Sequence, residues 1–173
     1  MPHSSINLIR DIPDFPSPGI VFKDITPVLA DAAAFQSVVS DMAAPYAGIG
    51  LTHVAGIEAR GFILATPIAD RLGLGFVPIR KPGKLPAATR SVSYKLEYGI
   101  DELQIHEDAV GPGDRVLIVD DVIATGGTAA ATIELIEQLG ATVVGLSVYV
   151  ELAFLNGATR LNGTPLSALV VYA

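Results

Sequence analysis

The sequence contains no cysteine. Disulfide scaffolds, thiolate metal sites and cysteine nucleophiles are therefore excluded. Charge is also scarce: 17% of the 173 residues are Asp, Glu, Lys or Arg, against 50% apolar. A disordered chain needs the opposite balance, so one packed domain is expected. Cations are the rarer sign, 11 Lys and Arg against 18 Asp and Glu, for a net charge of −7. General nucleic-acid binding needs clustered cations and is not expected here. Any phosphate ligand must be met by backbone amides and a few placed cations. Long apolar runs are missing as well. Gly, Pro or a charge breaks each one before the ~18 residues of a bilayer span, so no membrane partner is expected. Residues 1–10 lack a basic stretch followed by an apolar core, which makes the cytoplasm the expected compartment. Asn162-Gly163-Thr164 then reads as a turn and not as a glycosylation site.

What is present alternates between two periods, with no internal repeat. Val116-Leu117-Ile118-Val119 is a continuous apolar, largely β-branched run, as suits a strand covered on both faces. Asp120 to Thr128 follows as a connection. Ile133, Leu135, Ile136 and Leu139 then recur at helical spacing up to Gly140, a natural stop. Thr142 to Val150 reads as the next strand. A second unit has strand 52–56, helix Arg60 to Leu72, stop Gly73 and strand Phe76 to Ile79. A third helix spans Asp31 to Tyr46, with Asp31 as N-cap and Phe35, Val38, Val39 and Met42 as its stripe. Strand, helix, strand with short connections predicts an α/β fold around a mostly parallel, twisted sheet flanked by helices. Three segments stand outside it. Residues 1–30 are Pro-rich, residues 81–110 read as a loop plus a hairpin, and residues 151–173 as a terminal flap ending in strand-like Leu169 to Tyr172. In open α/β sheets ligands sit beyond the carboxyl ends of the strands. The connections at 58–61 and 120–128 should therefore face one crevice.

The second connection carries the clearest chemistry. Ala124, Thr125, Gly126, Gly127 and Thr128 have side chains small enough for their amides to approach a ligand closely. The helix that follows adds a partial positive charge, so the loop suits a phosphate monoester. The Thr125 and Thr128 hydroxyls can add donors. Asp120 and Asp121 repel phosphate and must serve another part of the same ligand, vicinal hydroxyls or a hydrated divalent cation. A ligand with both a phosphate and a diol is a ribose 5-phosphate. No Lys follows the glycines, and G-x-G-x-x-G does not occur, so neither common nucleotide loop is present.

Val119-Asp120-Asp121-Val122-Ile123-Ala124-Thr125-Gly126-Gly127-Thr128 resembles the phosphoribosyl pyrophosphate (PRPP) motif of type I phosphoribosyltransferases. Four further segments resemble the adenine-using branch of that family: 14–29, 55–62, 79–86 and 94–99. The likeness runs from about residue 8 to the end. It implies the type I fold with a small amino-terminal hood (1–30), a mobile catalytic loop (81–104) and a carboxy-terminal flap (151–173). It also implies transfer of phosphoribose from PRPP to adenine, giving AMP and pyrophosphate, with Mg²⁺ held mainly by PRPP and Asp120 and Asp121 as its candidate contacts through water.

The same resemblance assigns roles residue by residue. Glu58-Ala59-Arg60 matches a pyrophosphate loop with a non-proline cis peptide, in which Arg60 grips the pyrophosphate with its planar fork. Arg80, Lys81 and Lys84 match further pyrophosphate contacts, some of which reach the partner subunit's site in the family, implying a homodimer. Glu97 and Tyr98 match the catalytic loop: the carboxyl group exchanges a proton with the purine N7, and the phenol hydrogen-bonds the pyrophosphate. Val21-Phe22-Lys23 matches the adenine pocket, where backbone groups at Val21 and Lys23 read the base edge and Phe22 stacks. Leu152 matches the opposite apolar wall. Two positions depart from the pattern: Lys23 stands where the family often has Arg, and Ala158 where many relatives have Arg. The rival readings are a 6-oxopurine enzyme of the same family and a non-catalytic PRPP or purine sensor. His3, His53 and His106 lack metal-ligand spacing; His53 reads as a strand residue and the other two as exposed.

Overall fold

The computed structural model describes residues 3–95 and 99–173. In chain order the elements are β1 (Arg10–Pro13), β2 (Val21–Asp24), α1 (Thr26–Ala30), α2 (Ala32–Ala43), β3 (His53–Ile57), α3 (Arg60–Leu72), β4 (Gly75–Ile79), β5 (Thr89–Lys95), β6 (Ile100–His106), β7 (Arg115–Ile123), α4 (Gly127–Gln138), β8 (Thr142–Leu152) and β9 (Leu166–Tyr172). Five strands form one sheet in the order β4-β3-β7-β8-β9, with every pair parallel. β1 and β2 form one antiparallel hairpin, and β5 and β6 another.

The apolar run 116–119 explains why β7 is central. Val116 and Ile118 face a core built with Ile133 and Leu135 of α4 and Leu103 and Ile105 of β6. Leu117 and Val119 face the opposite core, with Val38 and Met42 of α2 and Leu64 and Ile68 of α3. Alternate residues thus bury on opposite faces, and each such side chain is worth about 1.5–3 kcal/mol when fully covered. The predicted caps are in place. The Asp31 carboxylate accepts the Ala34 N–H at 2.8 Å, and Gly73 and Gly140 have φ of +69° and +86° at the ends of α3 and α4. α2 ends at Ala43, short of the expected Tyr46, and 44–46 tighten into a 3₁₀ turn. Pro45 has no N–H to continue the α-helical ladder.

Other boundaries differ more. β7 does not stop at Val119 but runs through both aspartates to Ile123, because its backbone stays paired with β8 (Asp120↔Val148, Val122↔Val150, Ile123↔Glu151). The expected flap divides. Its end is the fifth sheet strand, in register with β8 from Leu146↔Leu166 to Leu152↔Tyr172, and only 153–160 forms 3₁₀ turns beside the crevice. His3 is not exposed: its Nε2 lies 2.9 Å from the Asp41 carboxylate and its side chain is 10% accessible. His106 is half-buried, and its Nε2 accepts the Ala87 N–H at 3.3 Å. No described helix is long and apolar enough to cross a membrane.

Candidate active site

The site is built from the carboxyl ends of β3 and β7, as the parallel topology requires. After Ile123, residues 124–126 turn into α4, with Gly126 at φ +79°. A side chain on Gly126 would collide with the Gly157 carbonyl, and one on Gly157 with the Ala124 carbonyl. Two glycines thus let the 157–160 turn close against the loop. The loop and the first turn of α4 line a cavity of about 110 Å³, together with Asp120 and Val122. Amides of a helix start in a cavity this small make an anion cradle. Gly127 lines this cavity, and a Cβ added there would face the Tyr94 ring at 3.2 Å. The Thr128 hydroxyl donates to Tyr94 OH at 3.1 Å, whereas Thr125 is exposed at the mouth.

Thr128 and Asp120 also border a second cleft of about 330 Å³. Its far side is the Glu58-Ala59-Arg60 loop, whose Glu58-Ala59 peptide is cis, as the resemblance implies. Each cation expected near pyrophosphate on this side has an internal carboxylate partner. Arg60 pairs with the buried Asp121, Arg80 with Glu58 at 2.7 Å, and Lys81 with Asp101. Lys84 is not brought into the cleft. It is exposed, and among the described residues its carbonyl accepts from Arg80 at 3.3 Å. Glu97 and Tyr98 lie outside the described residues. Burial, and then the neighbouring Asp121 charge, push the Asp120 carboxyl well above the usual carboxylate range, and Arg60 offsets them only in part. Burial opposes the charges of Lys81 and Asp101 too. Their mutual hydrogen bond and the added bonds from Tyr94 and the Glu102 N–H outweigh it, so the lysine is raised and the aspartate lowered.

A third cavity, about 340 Å³ and mostly apolar, opens on the other side of Arg60 between Val21-Phe22-Lys23 and Leu152. Phe22 is braced edge-on by Phe15, with ring centroids 5.3 Å apart, and the Arg60 guanidinium lies 5.2 Å from its centroid. The Lys23 side chain is engaged elsewhere: its ammonium bonds Asp11 at 2.8 Å and sits 4.1 Å over the Tyr172 ring. Lys23 therefore offers this slot its backbone and not its charge. Reading the sequence missed Tyr94, Asp101, Asp11 and Tyr172. The first pair could have been sought in any hairpin register that places Tyr94 opposite Asp101.

A cradle that opens into a cation-bearing cleft and then an apolar slot suits one ligand made of phosphate, sugar and flat ring. The phosphoribosyl transferase domain family matches residues 29–161, and the chain belongs to that family. Within it, the chain is 62% identical to the adenine phosphoribosyltransferase of a Parafrankia strain, over 88% of this chain and 83% of that protein. The crystal structure of adenine phosphoribosyltransferase from Thermoanaerobacter pseudethanolicus superposes with a TM-score of 0.93 at 52% identity, covering 96% of each chain. The Saccharomyces cerevisiae enzyme, complexed with an imino-altritol bisphosphate and adenine, superposes with a TM-score of 0.89 at 38% identity, covering 94% of each chain.

Proposed function

We propose that the protein transfers the 5-phosphoribosyl group of PRPP to adenine, giving AMP and pyrophosphate, as a purine-salvage transferase of the cytoplasm. The observation that carries this is the apolar slot at Val21-Phe22-Lys23, which shares Asp120's crevice through Arg60. The 5′-phosphate sits on the amides of 124–128. Asp120 and Asp121 face the ribose and favour the positive charge that grows at C1′ as its bond to pyrophosphate breaks. Arg60 and Lys81 exchange their carboxylate partners for the leaving pyrophosphate. N9 of adenine then bonds C1′, and Glu97 takes the proton from N7. Backbone groups at 21 and 23 read the 6-amino edge, because a 6-oxopurine reverses donor and acceptor and strands buried polar groups at ~1–3 kcal/mol each.

Among the described residues no three His, Asp or Glu side chains converge as a metal site. Two adjacent carboxylates fit a Mg²⁺ that keeps its waters and is bound chiefly by substrate oxygens, with Asp120 and Asp121 as its protein contacts. When bound, it neutralises charge on the departing pyrophosphate. The exposed Lys84 fits the homodimer reading, in which it reaches the partner subunit's cleft.

The test is AMP formation from PRPP with Mg²⁺, comparing adenine, hypoxanthine, guanine and xanthine. Adenine is expected to dominate kcat/KM, and a preference for any oxopurine would overturn the assignment. Two variants locate the base reader. Lys23→Ala should keep most of the preference for adenine over hypoxanthine, since its side chain points at Asp11 and Tyr172. Phe22→Ala should weaken both bases together by ~1–3 kcal/mol, as loss of a stacking face does. Preference lost in Lys23→Ala would make the side chain the reader.

A further inference from the structure

Tyr94 and Asp101 face each other across β5 and β6, at the base of the segment that carries Glu97. Tyr94 OH accepts from Thr128 Oγ1 at 3.1 Å and donates to Asp101 Oδ2 at 3.1 Å. The same carboxylate oxygen holds the Lys81 ammonium, and Oδ1 accepts the Glu102 N–H at 2.9 Å. A hydroxyl has a single proton, so this chain has one direction, from the first turn of α4 to the Asp101 carboxylate, to which Lys81 donates from the other side. Nor does the hairpin need it to fold, because Val92, Leu103 and Ile105 already bury its inner face.

We infer that Asp101 is a displaceable counter-ion for Lys81, one that holds the lysine in the empty cleft and reclaims it when pyrophosphate leaves, and that Tyr94 sets the strength of that hold. This rests on reading the cleft as the pyrophosphate site. Two effects of Asp101 on pyrophosphate compete. Keeping Lys81 in place favours binding, but ordering one side chain is worth roughly tenfold or less. Competing for its ammonium disfavours binding, and a charge-assisted hydrogen bond is worth roughly ten- to a hundredfold. Competition wins, so the carboxylate weakens pyrophosphate affinity and aids its release. Tyr94 acts with the opposite sign. By donating to the oxygen that holds Lys81, it drains charge from that bond, and without it Asp101 grips the lysine harder.

The experiment is calorimetric titration of the full chain with pyrophosphate and, separately, with AMP. Asp101→Asn should bind pyrophosphate about tenfold more tightly and Tyr94→Phe about three- to fivefold more weakly, the sizes of a charged and a partial hydrogen-bond effect. Asp101→Glu should return toward the wild-type value, and AMP affinity should move by less than about twofold in each variant, because the cradle amides are untouched. A purely structural role would shift both ligands, or both variants, in the same direction, and that result overturns the inference. So does a wild-type chain that binds no pyrophosphate. A wild type that binds both ligands but forms no AMP would instead overturn the transfer reaction, with the counter-ion role still judged by the pyrophosphate affinities.

Discussion

Replacing Gly157 with Ala is expected to abolish AMP binding while the fold stands. The added Cβ would collide with the Ala124 carbonyl and approach the Gly126 nitrogen to 2.9 Å. Both belong to the backbone of the proposed phosphate cradle, so the loop must move to accept a methyl group. An anion site made of amides tolerates little movement, because every donor loses its aim together. We expect AMP affinity to fall more than ~100-fold, since several charge-assisted bonds weaken at once. Gly163→Ala is the control. Unlike Gly157 it has a positive φ, +84°, so alanine there is strained by the backbone alone, with nothing within 4 Å of the added atom. It should cost about 1 kcal/mol of stability with AMP affinity unchanged. Calorimetry with AMP and circular dichroism decide the matter. Near-normal affinity in a folded Gly157→Ala protein would remove the tight contact between 157 and the loop from any role in the cradle. Gly127→Val should be milder, because its side chain meets a movable Tyr94 ring and not backbone.

The legible parts of this molecule were local. Helix stops at Gly73 and Gly140, the cap at Asp31 and the doubly covered strand at 116–119 each follow from conformational freedom, hydrogen-bonding reach or apolar period within a few residues. The 124–128 connection into α4 was legible for the same reason, since it is one contiguous loop. What escaped depended on distant pairing. β7 continues past Val119 because β8 stays beside it, which the polar Asp120-Asp121 pair does not announce. Leu166 to Tyr172 joins the sheet because β8 is long enough to pair with it. The ion pairs Arg60–Asp121 and Lys81–Asp101 join residues 61 and 20 positions apart. The direction of Lys23 is settled by Asp11 on the neighbouring strand and by Tyr172. The sequence motif identifies Lys23 as a wall of the slot, but the fold decides which part of it faces inward.

Replacing Asp120 with Asn is expected to make the ligand-free protein more stable at neutral pH and the enzyme much slower. Asp120 is half-buried in the cleft and its Oδ1 accepts the Asp121 N–H at 2.9 Å, a bond the Asn carbonyl can keep. Burial and the Asp121 charge raise its folded pKa. In the unfolded chain the group titrates near ~3.9. Between that value and the higher folded one the native state binds more protons than the unfolded state, so stability falls as pH rises. Asparagine carries no such dependence. The melting-temperature advantage of the variant should therefore be absent below pH ~4, grow through the window between the two pKa values and level off above the folded one. Activity moves the other way. In the proposed reaction the same carboxylate that costs the ligand-free protein stability stands where positive charge develops on the ribose, and loss of one such preorganised group typically lowers kcat by ~10²–10³. Melting curves from pH 4 to 8, paired with AMP formation, test both halves. A melting-temperature difference that is flat with pH would deny the raised pKa. Retained turnover would move the proposed ribose contact from Asp120 to Asp121, whose charge is already matched by Arg60.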